Sequence, residues 1–257
     1  MLEAVVIFAA GMWAGAINVI VGSGTLVTFP TLLLFGYPPL VANMSNNVGM
    51  VAGGVSGIYG YRRELRGNAP ILRRLLPASV CGGLAGALLL LVLPADAFNA
   101  VVPVLIFLGV VMVLAGPSLQ RRAAQRDLTT GRKSAAPYLN VPLLLGIFAL
   151  GIYGGYFGAA QGILLVGLMS AIMAESLQRI TAIKNVLATL VNAVAAVTFM
   201  TIAWDRIDWQ ATGLIASGAF IGGYVGARVG RRLSRTVLRS VIVVIGVLAI
   251  VKMVFFD

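Results

Sequence analysis

Long apolar runs, interrupted by glycine, proline and basic residues, follow one another from end to end of the chain. Runs that reach the roughly 20 residues needed to cross a bilayer core fall at 3–22, 40–61, 73–93, 97–116, 139–158, 178–203, 210–229 and 237–256. Two further apolar runs, 25–36 and 160–174, are too short. The first carries Pro30 in its middle, and proline removes a helical hydrogen bond and breaks the ladder. Broken backbone survives at membrane depth only where protein buries it or where it lines a cavity. These two segments are therefore expected to be half-helices or hairpins that build a site. No basic region precedes the first run, where Glu3 stands instead, so residues 4–21 read as a retained span and not as a cleaved leader.

Composition strengthens that picture. Of 257 residues, 60% are apolar and 11% charged, with a mean hydropathy of +0.98. A soluble domain carries about 25% charge, and this chain cannot cover a water-facing exterior. The pattern predicts an all-α integral membrane protein of about eight long transmembrane helices and two short broken or re-entrant segments. The chain has no histidine and a single cysteine, Cys81. That excludes His/Cys zinc sites, Ser–His or Cys–His nucleophile pairs and an internal disulfide. No metal or cofactor is expected.

The net charge of +11 would suggest nucleic acid in a soluble protein; here its distribution gives another reading. All but four of the 19 basic residues form three clusters: Arg62 to Arg74, Arg121 to Lys133, and Arg228 to Arg239. The positive-inside rule puts all three on the cytoplasmic side. The loop 204–209, with two acids and two tryptophans, suits the outer interface, where aromatic belts lie. These placements describe a multi-pass protein of the cell (inner) membrane with both termini extracytoplasmic.

Weak internal similarity divides the chain. GGLAGA at 82–87 returns as GGYVGA at 222–227, and GAINVIVGSG at 15–24 resembles GIYGGYFGAA at 151–160. ANMSNN at 42–47 aligns with ITAIKN at 180–185 in little beyond the final Asn. The offsets are 140, 136 and 138, nearly constant and in order. The span 73–93 has its basic cluster at its start, and its counterpart 210–229 has it at its end. Equivalent helices must then cross in opposite directions, which is an inverted repeat of the kind secondary transporters use. Residues 1–116 form the first repeat, 138–257 the second, and the basic stretch 117–137 is a cytoplasmic linker read as a loop.

Candidate chemistry gathers around the short segments. Lys184 is the one ionisable residue well inside an expected span, and an intramembrane lysine is read as functional by default. It can counter an anionic substrate or carry a coupling proton; the alternative is a lysine snorkelling to the inner interface. Asn46 and Asn47 lie about 10 Å inside one helix at 1.5 Å per residue, and Lys184 and Asn185 at a similar depth in another. The two pairs are expected to converge on one polar cavity near mid-membrane. Gly22, Ser23, Gly24 and Thr25 form one glycine-rich turn, and Gly158 to Gly162, including Gln161, form the second. A half-helix starting at either would aim backbone N–H groups and its positive dipole end at an anion; the alternative is a tight turn without a ligand. Asn18 faces the same region, with an interhelical hydrogen bond as its competing role. The spaced glycines 49, 53, 57 and 218, 222, 226, 230 read as close-packing surfaces, and Cys81 as a small core residue.

The run GAINVIVGSGTLVTFPTLLLFGYPPLVANMSNN resembles the first-half signature of the TauE/SafE family of membrane transporters, the sulfite exporter family. GIYGGYFGAAQGILLVGLMSAIM followed by AIKNVLATLVN is similar to that family's second repeat, so the match spans essentially the whole chain. The resemblance implies a secondary carrier for sulfur-containing anions such as sulfite or sulfonates. Two positions depart from it. Gly22-Ser23-Gly24 stands where the family often has three glycines, and Gln161 where the second turn often has another. No ATP-binding motif occurs, so active transport would draw on a proton or sodium ion gradient or on a separate partner. Two other functions compete with the carrier. One is an intramembrane enzyme with a Ser23–Lys184 dyad, which requires hydrogen-bond contact between the two. The other is a passive anion channel.

Overall fold

A computed structural model describes residues 1–130, 141–173, 175–229 and 235–255. Ten α-helices and one short 3-10 turn, Trp204–Arg206, account for nearly all of them, with no strand among the described residues. The helices are α1 (Leu2–Ile20), α2 (Thr25–Leu34), α3 (Pro39–Gly60), α4 (Ala69–Val92), α5 (Ala95–Thr130), α6 (Val141–Tyr156), α7 (Gln161–Ile172), α8 (Leu177–Ile202), α9 (Trp209–Val229) and α10 (Arg235–Phe255). Helices α1, α4, α8 and the Ala95–Ala115 part of α5 are long and apolar enough to cross a membrane. Helices α3 and α9 have the length as well, but glycine and polar residues dilute their apolar surface.

Both short segments are helical. At 1.5 Å per residue, α2 and α7 span roughly 15 and 18 Å, about half a bilayer core. Pro30 does not break α2, which continues through it to Leu34. Only one ladder bond is lost there, and Thr31 Oγ1 donates to the Val27 carbonyl at 2.7 Å, next to the gap. The break falls earlier, at residues 21–24. A second difference lies in the linker. Helix α5 runs on to Thr130, so the basic stretch begins as helix and not as loop; residues 131–137 lie outside the described residues.

Small residues set how the helices meet. A Cβ added at Gly222 would overlap the Met12 carbonyl, and one at Gly226 would strike Ala16, so α9 lies directly on α1. A Cβ at Gly82 would overlap the Phe148 carbonyl, and one at Gly86 the Ile152 carbonyl, so α4 lies directly on α6. Such approach maximises packing between helices that gain nothing from leaving lipid. Cys81, one residue before this surface, is exposed and not in the core, because each helical step turns the side chain by about 100°.

The register of these contacts fixes direction. Residues 11 and 15 of α1 meet 215 and 219 of α9, and residues 49 and 53 of α3 meet 215 and 219 as well. Helices α1, α3 and α9 therefore run parallel. Gly82 and Gly86 of α4 ascend along 148 and 152 of α6, while Ser79 and Gly83 ascend along Leu187 and Val191 of α8, so α4, α6 and α8 are parallel too. Between the two sets, Gly54 of α3 meets Thr189 of α8. Ser45, nearer the start of α3, accepts from Asp208 N at 2.8 Å, just beyond the end of α8. The sets are antiparallel.

The ends differ in character. At one, Tyr37 Oη donates to Glu3 Oε1 at 2.8 Å, Lys252 Nζ donates to the Leu33 carbonyl at 2.7 Å, and Trp204 stacks near Trp209 with centroids 4.1 Å apart. Partial burial, the Glu3 bond and the nearby acids push the Tyr37 phenol up to about 12, so it stays protonated and the tie from α1 to the α2–α3 loop holds at neutral pH. At the other end lie the turn carrying Arg62, Arg63 and Arg66, and the start of α4 with Arg73 and Arg74. The beginning of α1 and the end of α10 thus share the aromatic end.

Gly222→Leu is expected to lower stability by about 1–3 kcal/mol, the cost of overpacking a tight interface. Gly213→Ala, with nothing within 4 Å of the new Cβ, should leave stability unchanged or slightly raised. Thermal unfolding of the purified variants in detergent checks both.

Candidate functional site

Two chain reversals meet in the middle of the bundle. Gly22 (φ +92°) ends the first helix, and Gly158 (φ +78°) with Ala160 (φ +59°) turns the second. Glycine reaches these left-handed angles without penalty; at Ala160 the surrounding packing must hold the strain. Gly162 N donates to Gly22 O at 3.0 Å, and a Cβ on either residue would run into the other's backbone. From this contact α2 leads toward the aromatic end, where Leu33 reaches Lys252. Helix α7 leads the opposite way, where Met169 and Met173 pack with Ile71 and Leu75 at the start of α4. Both half-helices begin in the middle, so their positive dipole ends face each other there.

The expected site residues divide into two sets on either side of this contact. Toward the aromatic end, Asn46 Oδ1 accepts from Thr28 Oγ1, and Asn46 Nδ2 donates to Thr25 Oγ1 at 3.4 Å. Asn43 Nδ2 donates to the Tyr156 carbonyl, the end of α6, at 2.9 Å. Toward the basic end, Lys184 is 1% exposed and its Nζ donates to the carbonyls of Asn18 (2.8 Å) and Val19 (3.2 Å). Those carbonyls lie in the last turn of α1, where the helix leaves carbonyls without partners of its own. A cation at a helix C-terminus also meets the negative dipole end. Lys184 therefore neither snorkels outward nor pairs with a carboxylate; it caps α1 from across the bundle.

Asn47 and Asn185 do not share a level. From the Gly54–Thr189 crossing of α3 and α8, Asn47 lies about 10 Å toward the aromatic end and Asn185 about 6 Å toward the basic end, at 1.5 Å per residue. The single polar cavity expected from the sequence is thus two polar groups separated by the Gly22–Gly162 contact. Asn18 Oδ1 accepts from Gly24 N at 3.5 Å, the long limit of such a bond. Gln161 turns back onto α6, where Nε2 donates to the Leu150 carbonyl at 3.0 Å against the bare face of Gly154.

Among the described residues, several buried polar atoms have no partner in the protein: Ser23 Oγ, Asn43 Oδ1, Asn47 Oδ1, Asn68 Oδ1 and Asn185 Nδ2. Ser23 Oγ and Asn185 Nδ2 are free donors; Ser23 follows Gly22 at the Gly22–Gly162 contact, and Asn185 follows Lys184 in sequence. Ser23 makes no hydrogen bond to Lys184, so the dyad required for serine chemistry is not formed. The sequence reasoning missed Asn43 and Thr28. Asn43 stands one helical turn before Asn47, and that i, i+4 spacing could have revealed it. Thr28 is a hydroxyl inside an apolar run, a weaker signal.

Comparison with known proteins adds to this geometry. The family model described as sulfite exporter TauE/SafE matches residues 7–253. A protein of Haemophilus influenzae named "Probable membrane transporter protein" is 26% identical over 217 residues, covering 84% of this chain and 81% of its own. The Escherichia coli K12 protein named "Probable membrane transporter protein YfcA" is 28% identical over 218 residues, covering 84% and 77%. A Sinorhizobium protein, "Probable membrane transporter protein ORF9", is 28% identical over 158 residues, covering 61% and 56%. No solved structure matches the chain significantly. The relatives are named as transporters and not as enzymes, in keeping with the missing dyad. Ten helices with apolar spans, two half-helices meeting at a buried glycine contact, and a family match over nearly the full length converge on one conclusion: the chain is a multi-pass membrane transporter that belongs to the sulfite exporter TauE/SafE family.

Proposed function

We propose that this transporter is a secondary active carrier for a small sulfur-containing anion of the sulfite or sulfonate class, working by alternating access. The observation that carries the reading is Lys184: an ammonium buried in the middle of the protein, with uncommitted donors at Ser23 and Asn185 and two half-helix N-termini nearby. The anion site is assigned to Lys184, Asn185, Ser23 and the turns at Gly22–Thr25 and Gly158–Gln161. Asn18 steadies the first turn, and Asn46 lines the approach from the aromatic end.

An arriving anion competes with the Asn18 and Val19 carbonyls for the ammonium. Charge-assisted bonds to an oxyanion are stronger than bonds to neutral carbonyls, so binding draws Lys184 from the end of α1. That loosens the Gly22–Gly162 contact, which closes the way between the two polar groups. The moving bodies are the parallel sets α1–α3–α9 and α4–α6–α8, each locked by its own glycine interfaces.

The halves 1–116 and 138–257 are read as inverted repeats, and the contact map supports this. Gly82 backs onto Phe148 and Gly222 onto Met12, pairs related by the same 140 and 136 offsets as the sequence similarity. With the basic end cytoplasmic by the positive-inside rule, both termini are extracytoplasmic in the cell (inner) membrane.

Lys184→Met should remove an interaction of about 2 kcal/mol, roughly thirtyfold in anion affinity, and Lys184→Arg should retain part of it. Sulfite or sulfonate counterflow in proteoliposomes reads this, alongside the unfolding midpoint, because loss of the cap also strands two carbonyls. Counterflow at the wild-type rate in Lys184→Met would mean that the lysine is a cap alone. For orientation, a reporter fused after Asp257 should be active outside the cell and one inserted at Gln125 active inside; a cytoplasmic C-terminus would reject the inverted arrangement.

A further inference from the structure

We infer that the C-terminal end of α6, together with Asn43 and Asn47 of α3, forms a binding site for a monovalent alkali cation, with sodium the expected occupant. Two helices end on opposite sides of the Gly22–Gly162 contact, α1 at Ile20 toward the basic end and α6 at Tyr156 toward the aromatic end, 136 residues apart, the offset of the sequence repeat. Each ends in carbonyls that lack helical partners and in the negative end of its dipole. At α1 the protein supplies a fixed cation, the Lys184 ammonium on the Asn18 and Val19 carbonyls. At the corresponding end of α6 no cation stands among the described residues. The position on α3 equivalent to Lys184, by the 138 offset, is Asn46, whose amide is engaged with Thr25 and Thr28. Among the described residues, the side chains that reach the end of α6 are neutral donors: Asn43 Nδ2 to the Tyr156 carbonyl and Tyr153 Oη to the Ala159 carbonyl, at 2.5 Å.

The free atoms at this end are acceptors. The Tyr156 carbonyl can only accept, so it fixes which way the Asn43 amide lies and leaves Oδ1 pointing elsewhere. Asn43 Oδ1 is buried without a donor, and so is Asn47 Oδ1; the two residues are 1% and 4% exposed. Asn43, Asn47 and Gly54 share one face of α3 at i, i+4 and i+11. Asn43 meets the end of α6, and Gly54 meets α8, so Asn47 lies between them. The α8 residues level with it, Ala195 and Ala196, carry no donor side chain. Two orphaned amide oxygens beside a negative helix end repel an anion and suit a hard cation.

The absence of carboxylates sets the charge of that cation. Calcium is held largely by carboxylates, and among the described residues no three or more His, Cys, Asp and Glu come together. Neutral oxygens suffice for monovalent ions, and half-helix C-termini with unwound carbonyls are the usual ingredients of sodium sites in carriers. Neither amide titrates, so a proton is not the occupant. The cation is to α6 what Lys184 is to α1, exchangeable where the lysine is fixed. Its role as the coupling ion rests on the carrier reading above; its binding does not.

The test uses purified full-length protein in detergent with no added oxyanion. Sodium chloride is replaced stepwise by N-methyl-D-glucamine chloride at constant ionic strength, and the thermal unfolding midpoint is followed. A ligand that binds the native state raises the midpoint saturably, and sodium is expected to do so. Asn47→Ala, which breaks no bond seen in the protein, should shift half-saturation upward by about tenfold or more or abolish the response. Lys184→Arg should keep the sodium response whatever it does to anion counterflow. A wild-type midpoint that is the same in both salts would overturn the site, as would an Asn47→Ala response equal to wild type. A sodium response in a protein that shows no anion counterflow would reject the carrier reading and leave the cation site standing.

Discussion

A backbone that breaks inside a membrane must find its partners within the protein, and here it finds them at one contact. Gly22 O accepts from Gly162 N at the place where both half-helices begin. Water cannot satisfy these groups at that depth, and each left unpaired would cost several kcal/mol. The contact requires that neither residue carry a Cβ, that both chains reverse through left-handed angles at Gly22 and Gly158, and that α2 and α7 leave in opposite directions. From those conditions follow the half-length helices, the meeting of their positive ends and the separation of polar residues into two groups.

The same constraint explains why side chains cap helices across the bundle. Where α1 and α6 stop, their last carbonyls lack partners within their own helices. Lys184 reaches one end and Asn43 the other, each from the long helix of the opposite half. A buried lysine without a carboxylate is costly in isolation, but here two carbonyls and a helix dipole offset part of its desolvation. The arrangement ties α8 to α1 and α3 to α6, linking the two parallel helix sets through polar bonds while glycine interfaces hold each set together internally. Glycine-mediated packing is closest within the sets, at α1–α9, α3–α9 and α4–α6, while the polar ties and the Gly54–Thr189 crossing join one set to the other.

Much of this was legible in the chain itself. Apolar run length located the helices to within a few residues, apart from the basic extension of α5 to Thr130, because a bilayer imposes a minimum length that soluble proteins do not face. The deficit of charge identified the solvent as lipid, and the lack of histidine by itself removed most catalytic chemistry. The glycine spacings of α9 marked a true interface, since small residues at i, i+4 have few other uses in a membrane. Glycine-rich turns ahead of two short apolar runs marked the breaks correctly. Pro30 misled locally: its cost depends on whether the helix has neighbours and hydroxyls to absorb the lost bond, which no single residue announces.

What the sequence by itself determined was the class of protein, the number and rough bounds of its helices, and the identity of the residues too polar to lie against lipid. What only the tertiary structure decided was which of those polar residues meet. Depth counted along each helix suggested one cluster of Asn46, Asn47, Lys184 and Asn185. The antiparallel crossing of α3 and α8 through Gly54 and Thr189 instead carries Asn47 and Asn185 to opposite sides. Distance along a helix is fixed by covalent geometry and can be read from the chain. The register between two helices is fixed by where their small residues allow close approach, and that exists only once both are packed.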